Sequence, residues 1–559
     1  MSVRFVEPDA VRELLRSGGE VAILDAREQG VFSREHLFWG SCVPLSHLEL
    51  LVAALVPRRT CPVVWVDADG SSGTDRSSGT DSSSGTDSGR GSGGGLAQRA
   101  AARMAELGWT EVSVLRGGMA AWPGERYSGV NVPSKAFGEW VERQEHTPHI
   151  SAAELHRRQT AGERLVILDS RPMREFQRMS IPGGVDCPGA ELVYRVHDVV
   201  ADPDTTVVVN CAGRTRSIIG AQSLRNAGIP NPVLALEHGT MGWELAGFSL
   251  AHGETIHAPA PTPTGLARAR ELAAAVARRF EVQTIDEARL QTWLADPDRT
   301  TFVLDVRTAE EFAAGHAHFA RHAPGGQVVQ ATDEYVGVLG ARVVLVDDGS
   351  LVRATMTASW LVQLGRYEVA VARVEDRVIG ADAARGSVAG VSEPLGLTSA
   401  SVAPTMGIAK MGIAELAAHL GSVEIIDLAD SLRFRRGHIP GACWAVRSRL
   451  DQVAGVAGPV VLSSPDGELA TLAWAEANAR WPGAVVLEGG TNAWIAAGHP
   501  LETGMTRATT DTDDVWYKPY DAQDQAVARQ HMQDYLDWEV ALLAQIDRDE
   551  LVHFRTFPA

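Results

Sequence analysis

One cysteine lies in a short loop that could do nucleophilic chemistry. The chain reads Val207-Val-Val-Asn-Cys211-Ala-Gly-Arg-Thr-Arg216-Ser, so the thiol follows an apolar strand and precedes a helix-like stretch. Open α/β sheets bind ligands at the carboxyl ends of parallel strands. Loop amides and a helix N-terminus favour thiolate over thiol and stabilise a bound anion. We therefore predict Cys211 as a nucleophile with a lowered pKa, and Arg214 and Arg216 add positive charge.

The strand before this loop belongs to a unit that occurs four times. A short apolar strand ending in aspartate recurs at Asp25, Asp169, Asp305 and Asp427, and in the first three copies an arginine follows two residues later. A turn, a second apolar strand and a helix-like stretch follow each aspartate. Unbroken Val, Ile and Leu strands that alternate with helices indicate parallel sheets covered on both faces. The length of 559 residues agrees with about four such α/β domains.

Two stretches fall outside this repeated pattern. Residues 71–95 repeat Ser-Gly-Thr-Asp with almost no apolar side chain, so we expect a disordered insert. Near the C-terminus, Val527, Tyr535, Trp538 and Leu542 recur at helical spacing. We expect this amphipathic helix to pack on a domain rather than to bind a partner, because burial is the usual reason for an apolar stripe.

Taken together, four motifs resemble the rhodanese homology domain of sulfurtransferases. They are the Asp-x-Arg strand end, the His-Ile-Pro-Gly-Ala turn, the Cys-x-x-x-x-Arg-Ser loop and the Gly-Gly-x-x-x-Trp close, and the repeats cover most of the chain. The resemblance implies four tandem rhodanese-like domains, each a small, mostly parallel sheet flanked by helices, and a C-terminal helical tail. The predicted ranges are 1–128, with the insert, 147–256, 277–380 and 407–503 for the domains and 507–559 for the tail.

The same resemblance implies a reaction and roles for the loop residues. Cys211 would take a sulfane sulfur from a donor such as thiosulfate, become a persulfide, and pass the sulfur to cyanide or a thiol. Arg216 would orient the loop and stabilise anionic sulfur. The donor would bind along the rest of the loop, namely at Ala212, Gly213, Arg214, Thr215 and Ser217. No cofactor is expected, and no metal, because the 17 histidines show no ligand spacing with cysteines or carboxylates.

A related branch of the same fold contains phosphatases with a Cys-x5-Arg loop. Here the arginine is the fifth residue after Cys211, at position 216, and the sixth is Ser217. The shorter loop makes a smaller cradle of amides, which suits one sulfur atom better than a phosphate group. Loop length therefore favours sulfur transfer over phosphatase activity.

The other three copies differ at the reactive atom. Alignment on the strands places Asp67, Asp347 and Ser464 where the second copy has Cys211. None of these side chains can form a persulfide. We therefore predict that the domains at 1–128, 277–380 and 407–503 are inactive and serve to brace the protein or to recruit partners. The domain at 147–256 is predicted to be active.

Composition limits the partners. The formal charge of -19 disfavours binding to a phosphate backbone, so nucleic acid is not expected as a partner. No apolar run reaches the roughly 18 residues that span a bilayer, and the first residues do not resemble a signal peptide, so we expect a cytoplasmic protein without membrane contact. Five cysteines without a C-x-x-C pair indicate reduced thiols.

A second class of function remains open. Four domains of which three are inactive could form a scaffold, with Cys211 passing sulfur to a bound acceptor protein. Turnover of small donors separates this alternative from a small-molecule sulfurtransferase. For Asp169 and Arg171, the spacing favours a structural ion pair over a catalytic role.

Deleting residues 72–94 should leave folding and sulfur transfer nearly unchanged. A polar loop of this composition buries no apolar surface, and loop length affects closure entropy only weakly. Thermal unfolding and the rate of sulfur transfer of the shortened protein test this. A melting temperature several degrees lower would mean that the segment is an ordered part of the domain.

Overall fold

The computed structural model describes residues 3–69, 95–374, 407–522 and 524–558, and the insert predicted at 71–95 lies outside this range except for Gly95. Each copy forms one five-stranded sheet. In all four sheets the strand order is first, fifth, fourth, second and third. Every strand pair that the structure describes is parallel. The predicted α/β class and the four tandem copies are confirmed.

The twenty strands of the described residues fall into four consecutive groups of five. The first sheet contains β1 (Arg4–Val6), β2 (Ala22–Asp25), β3 (Ser41–Cys42), β4 (Val63–Val66) and β5 (Val112–Leu115). The second contains β6 (His149–Ile150), β7 (Leu165–Asp169), β8 (Val185–Asp186), β9 (Thr206–Asn210) and β10 (Val233–Leu236). The third contains β11 (Gln283–Ile285), β12 (Thr301–Asp305), β13 (Arg321–His322), β14 (Arg342–Val346) and β15 (Glu368–Ala372). The fourth contains β16 (Lys410–Met411), β17 (Glu424–Asp427), β18 (Cys443–Trp444), β19 (Val460–Ser463) and β20 (Val485–Leu487).

Helices connect and cover these strands. Those associated with the first copy are Pro8–Ser17, Gln29–Phe32, Leu48–Leu55, Leu96–Glu106 and Val132–Glu145. Those of the second are Ala152–Thr160, Met173–Arg178, Glu191–Val199, Thr215–Ala227, Gly239–Leu245 and Pro263–Arg279. Those of the third are Glu287–Leu294, Ala309–Ala314, Gly325–Gln330, Thr332–Tyr335 and Val352–Leu364. Those of the fourth and the tail are Ile413–Ala418, Ser431–Arg436, Glu468–Arg480, Gly490–Ala496 and Gln525–Ile546, and short 3-10 helices lie at Leu45–His47, Met119–Ala121, Arg447–Gln452 and Pro519–Asp521.

Both faces of each sheet are buried, as the fourth sheet illustrates. Ile425 packs with Phe434 and Trp494 on one face, whereas its neighbour Ile426 packs with Ala473 on the other. Successive side chains of a strand point to opposite faces, so both must be apolar when helices cover both faces. This explains the unbroken apolar strands of the sequence.

A buried ion pair closes the end of the second strand in three copies. In the second copy, Arg171 donates from Nε and Nη2 to the two oxygens of Asp169 at 2.8 and 2.7 Å, and Nη2 also donates to the carbonyl of Met179. Equivalent pairs join Arg27 to Asp25 and Arg307 to Asp305. The predicted structural role of this pair is confirmed.

The chain forms two compact units. One contains residues 1–11, 23–130 and 393–517, and therefore the sheets of the first and fourth copies. The other contains residues 12–22, 131–392 and 518–559, and therefore the second and third copies and the tail. Every helix among the described residues is too short or too polar to cross a lipid bilayer.

The tail helix, Gln525–Ile546, packs on the second copy. Its Ala528, Met532 and Leu536 form an apolar cluster with Met241. Docking of the tail on a domain is confirmed, and Leu542 of the predicted stripe is buried, but the rest of that stripe is not. Val527 is 44% exposed, whereas the charged Glu539 is buried.

Replacing Arg171 with methionine should destabilise the protein strongly. The change leaves the buried Asp169 without its ionic partner, which costs about 3–5 kcal/mol in comparable pairs. The midpoint of urea unfolding measures the loss. Arg157→Met in the same domain is the matched control, because the pair of Arg157 and Glu154 is exposed to solvent and contributes little to stability. Equal shifts in the two variants would contradict the structural importance of the buried pair.

Candidate active site

The reactive loop connects β9 to the helix Thr215–Ala227, called here the loop helix. Backbone hydrogen bonds join this loop to the turn that begins the helix Gly239–Leu245. The amides of Thr240 and Met241 donate to the carbonyls of Cys211 and Ala212 at 2.9 and 3.0 Å. At Gly239 the φ angle is +56°, and an added Cβ would lie 2.4 Å from the carbonyl oxygen of Cys211. This close approach requires the glycine of the repeated turn.

The sulfur of Cys211 is enclosed, with only 2% of the residue exposed. Its thiol donates to the hydroxyl of Ser217 over 3.6 Å, and that hydroxyl donates to the carbonyl of Arg214 at 2.7 Å. Burial raises the pKa of Cys211 above its ordinary value, although Arg216 and the hydrogen bonds of Ser217 act to lower it. The expectation of a lowered pKa was therefore wrong, because loss of hydration outweighs the local positive charge.

Arg216 closes the loop through its side chain. Its Nη2 and Nη1 donate to the two oxygens of Glu175 at 2.8 and 3.2 Å, and Nη1 also donates to Gln327 Oε1 at 3.2 Å. Burial acts to raise the pKa of Glu175, but the charge and hydrogen bonds of Arg216 lower it to about 2. Both partners therefore stay charged, and Arg216 is a fixed positive charge that lowers the pKa of Cys211.

Arg214 makes its contacts on another side of the loop. Nε and Nη2 donate to the carboxylate of Glu139 at 2.7 and 2.8 Å, and Nη2 also donates to Glu142. Both acids belong to the helix Val132–Glu145. The predicted donor-binding role of Arg214 stays a prediction, while its contacts anchor the loop to this helix.

Gly213 and Thr215 of the loop face the tail helix, which sequence reasoning did not place at the site. An added Cβ at Gly213 would lie 2.9 Å from Met241 Cε, 3.0 Å from Glu539 Oε2 and 3.3 Å from Tyr535 Cε1. Thr215 donates its hydroxyl to Glu539 Oε1 over 3.3 Å. The sequence carried one signal of this arrangement, an acidic residue on the apolar face of the tail helix.

Lys135, on the helix Val132–Glu145, was also missed. It is buried, and its ammonium lies over the rings of Tyr535 and Trp538, 5.4 and 5.1 Å from their centres. Burial lowers its pKa to about 8. An amine and a carboxyl from distant parts of the chain therefore stand beside the reactive loop.

The other copies place a different acceptor at the strand end that corresponds to Cys211. Asp67 Oδ2 accepts from the amide of Ala97 at 2.9 Å, Asp347 Oδ2 from Ala354 at 3.2 Å, and Ser464 Oγ from Ala470 at 3.2 Å. These three amides lie in the first turn of the helix that follows. The predicted alignment of the four positions therefore holds in the structure, and among them Cys211 alone supplies sulfur.

The third copy retains the loop-closing ion pair on a longer loop. Arg353 donates to the carboxylate of Glu311, as Arg216 does to Glu175. Arg353 is the sixth residue after Asp347, whereas Arg216 is the fifth after Cys211. The carboxylate of Asp347 accepts the amides of Gly349 and Leu351 and occupies this larger cradle.

Comparison with known proteins places these observations in a family. The model of the rhodanese-like domain matches residues 151–246 and 413–497. A curated transcriptional regulator of the helix-turn-helix type from Mycobacterium tuberculosis is 35% identical over 109 residues, which are 19% of this chain, and the match spans 46% of that protein. A solved rhodanese-like domain from Anabaena is 26% identical and covers 19% of this chain and 79% of its own, with a TM-score of 0.18.

One solved structure matches from end to end. It is a thiosulfate sulfurtransferase from Pseudomonas aeruginosa, 41% identical, with 100% of both chains covered and a TM-score of 0.88. With the four parallel sheets and the loop of Cys211, this similarity shows that the chain belongs to the rhodanese family.

Proposed function

We propose that this protein is a rhodanese-type sulfurtransferase in which Cys211 carries the transferred sulfur as a persulfide. One observation carries the proposal. Of four equivalent strand ends, only that of the second copy combines a sulfur atom with a loop closed by an arginine, Arg216. Similarity to the Pseudomonas aeruginosa enzyme supports thiosulfate as the donor.

The proposed reaction has two halves. The thiolate of Cys211 attacks the outer sulfur of thiosulfate, a new S–S bond forms, and the S–S bond of the donor breaks as sulfite leaves with the electron pair. Cyanide or a thiol then attacks the outer sulfur of the persulfide. The bond to Cys211 breaks, its thiolate is restored, and thiocyanate or an organic persulfide leaves.

The loop residues divide into two roles in this proposal. Arg216 stabilises the thiolate and the anionic persulfide, because Glu175 and Gln327 hold its charge beside the sulfur. The donor binds along Ala212, Gly213, Arg214, Thr215 and Ser217, and Arg214 also anchors the loop through Glu139. The burial of Cys211 supports a small acceptor over the protein-to-protein relay, since an acceptor protein would have to reach an enclosed sulfur.

The domains at 1–128, 277–380 and 407–503 are inactive in this proposal. Asp67, Asp347 and Ser464 already accept helix amides and cannot hold a sulfane sulfur. The third copy braces the active loop, because its Gln327 accepts a hydrogen bond from Arg216.

Cys211 should be the sole cysteine that gains a sulfur atom at low thiosulfate concentration. It alone has Arg216 beside it, whereas burial raises the pKa of Cys187 and Cys443 without such a loop. Intact mass and peptide mapping after exposure to thiosulfate measure the product. Cys211→Ser should abolish loading and turnover, and Cys443→Ser is the matched control that should retain both. Equal labelling of Cys443, or turnover by Cys211→Ser, would refute the single-site proposal.

The rate of persulfide formation should depend on pH through Cys211. Because the thiolate is the reactive form and its pKa is raised, the rate should keep rising above about pH 8.5, the ordinary pKa of a cysteine. Arg216→Gln removes a charge that lowers this pKa, so the profile should move to higher pH. A shift of about one pH unit corresponds to a tenfold slower reaction at neutral pH.

Arg216→Lys is the control for this experiment. It keeps a positive charge at the site, so its profile should lie closer to that of the unmodified protein than the profile of Arg216→Gln. The rates are measured by quenching the reaction with thiosulfate at successive times across a pH series and determining the persulfide fraction by intact mass. Coincident profiles for the unmodified protein and Arg216→Gln would contradict the electrostatic role.

A further inference from the structure

Glu539 is a charged residue on the buried face of the tail helix. It is 2% exposed, and its neighbours on this face are apolar residues such as Met532 and Leu536. Its Oε1 accepts hydrogen bonds from the hydroxyls of Tyr535 at 2.9 Å and Thr215 at 3.3 Å. Since Thr215 begins the loop helix, the second bond joins the carboxyl group to the reactive loop.

The other oxygen of Glu539 is directed at the loop itself. It lies 3.0 Å from the place that a Cβ on Gly213 would take. Among the described residues, this buried Oε2 has no hydrogen-bond partner. A buried acceptor without a partner is costly to a fold, so its presence calls for a further use of the atom. Oε2 therefore lies against the reactive loop at Gly213 and can still accept a hydrogen bond or a proton there.

The electric field of Glu539 also reaches the sulfur. Its negative charge acts to raise the pKa of Cys211. Neutralising Glu539 would therefore stabilise the thiolate of Cys211. A proton that moves onto Glu539 during the reaction would make that thiolate a better leaving group.

The groups that face Glu539 allow it to exchange a proton. Burial raises its pKa, while Lys135, Tyr535 and Arg214 act in the opposite direction. Glu139, on the helix Val132–Glu145, is a second acidic group that interacts with Glu539. A carboxyl group with a raised pKa is a better base and exchanges protons closer to neutral pH.

We propose that Glu539 is a catalytic base for thiol acceptors, which takes the proton of the thiol as that thiol attacks the persulfide of Cys211. This inference rests on the proposed sulfur transfer and goes beyond it. It adds a residue of the tail helix to the active site, and it assigns that residue a role only with acceptors that carry a proton.

The proton balance of the step is complete. Glu539 Oε2 takes the proton of the acceptor RSH, and the resulting RS⁻ attacks the outer sulfur of the persulfide anion of Cys211. The new bond joins the acceptor sulfur to the outer sulfur, and the old bond breaks with its electron pair on Cys211. The product RSS⁻ leaves, and Glu539 releases its proton to solvent.

The test separates acceptors with and without a proton. Cys211 is first loaded from thiosulfate, the donor is removed, and the loss of persulfide is followed by intact mass in mildly alkaline buffer. One sample receives mercaptoethanol. The other receives sulfite, which attacks as the unprotonated dianion, regenerates thiosulfate and needs no base.

Glu539→Gln should slow the reaction with mercaptoethanol by about 100-fold, at the low end of what a positioned base contributes. The reaction with sulfite should be unchanged or faster, because a negative charge near the dianion is removed. Asp534→Asn is the matched control, since Asp534 is an exposed acid on the same helix. Its rates with both acceptors should equal those of the unmodified protein.

Tyr535→Phe provides a second variant that keeps the carboxyl group. The hydrogen bond from Tyr535 lowers the pKa of Glu539, so its loss should raise that pKa. The base must be deprotonated to act, and the pH at which the thiol reaction is half-maximal should therefore move upward. The sulfite reaction should not show this shift.

Three outcomes would overturn the proposal, and they are distinguishable. Equal thiol rates in Glu539→Gln and the unmodified protein would exclude a base at this position. Equal slowing with both acceptors would mean that Glu539 only supports the structure, and sulfur transfer through Cys211 would stand. Failure of the unmodified protein to load sulfur on Cys211 would refute both this inference and the proposed function.

Discussion

A buried amide at the start of a helix needs a hydrogen-bond acceptor, and in three of the four copies the residue at the end of the central strand provides it. The parallel sheet brings the end of its central strand beneath that amide, and Asp67, Asp347 and Ser464 meet it with an oxygen. Leaving such an amide unpaired costs about 1–3 kcal/mol. The position therefore needs a small polar side chain, and a carboxylate or hydroxyl can replace the thiol of Cys211 while the fold is retained.

The burial of Cys211 at this position opposes the reactivity of its thiol. Removing water from Cys211 raises the pKa of its thiol, so the fold does not by itself produce a thiolate. The charge of Arg216 acts against this effect and stays in place because Glu175 binds it on two atoms. The nearby carboxylate of Glu539 acts to raise the pKa of Cys211. The proposed chemistry thus depends on a balance of charges around a buried sulfur rather than on an exposed, activated thiol.

The sequence was sufficient for the architecture and for the place of Cys211 between a strand and a helix, because both depend on local patterns. Unbroken apolar strands, the Asp-x-Arg pair and the loop of Cys211 each lie within a few residues. The sign of the pKa shift at Cys211 was not predictable, since it depends on total burial. Glu539 and Lys135 were missed for a related reason. They lie 328 and 76 positions from Cys211, and only tertiary packing brings them to the loop.

The third copy helps to separate structural from chemical roles at the active loop. It keeps the ion pair of Arg353 and Glu311 although Asp347 replaces the thiol. The equivalent pair of Arg216 and Glu175 therefore closes the loop whether or not chemistry follows. Arg353 also donates to Glu191 of the second copy, and Arg216 donates to Gln327 of the third. Each loop is thus braced by the neighbouring domain, which gives the third copy a physical reason to accompany the second.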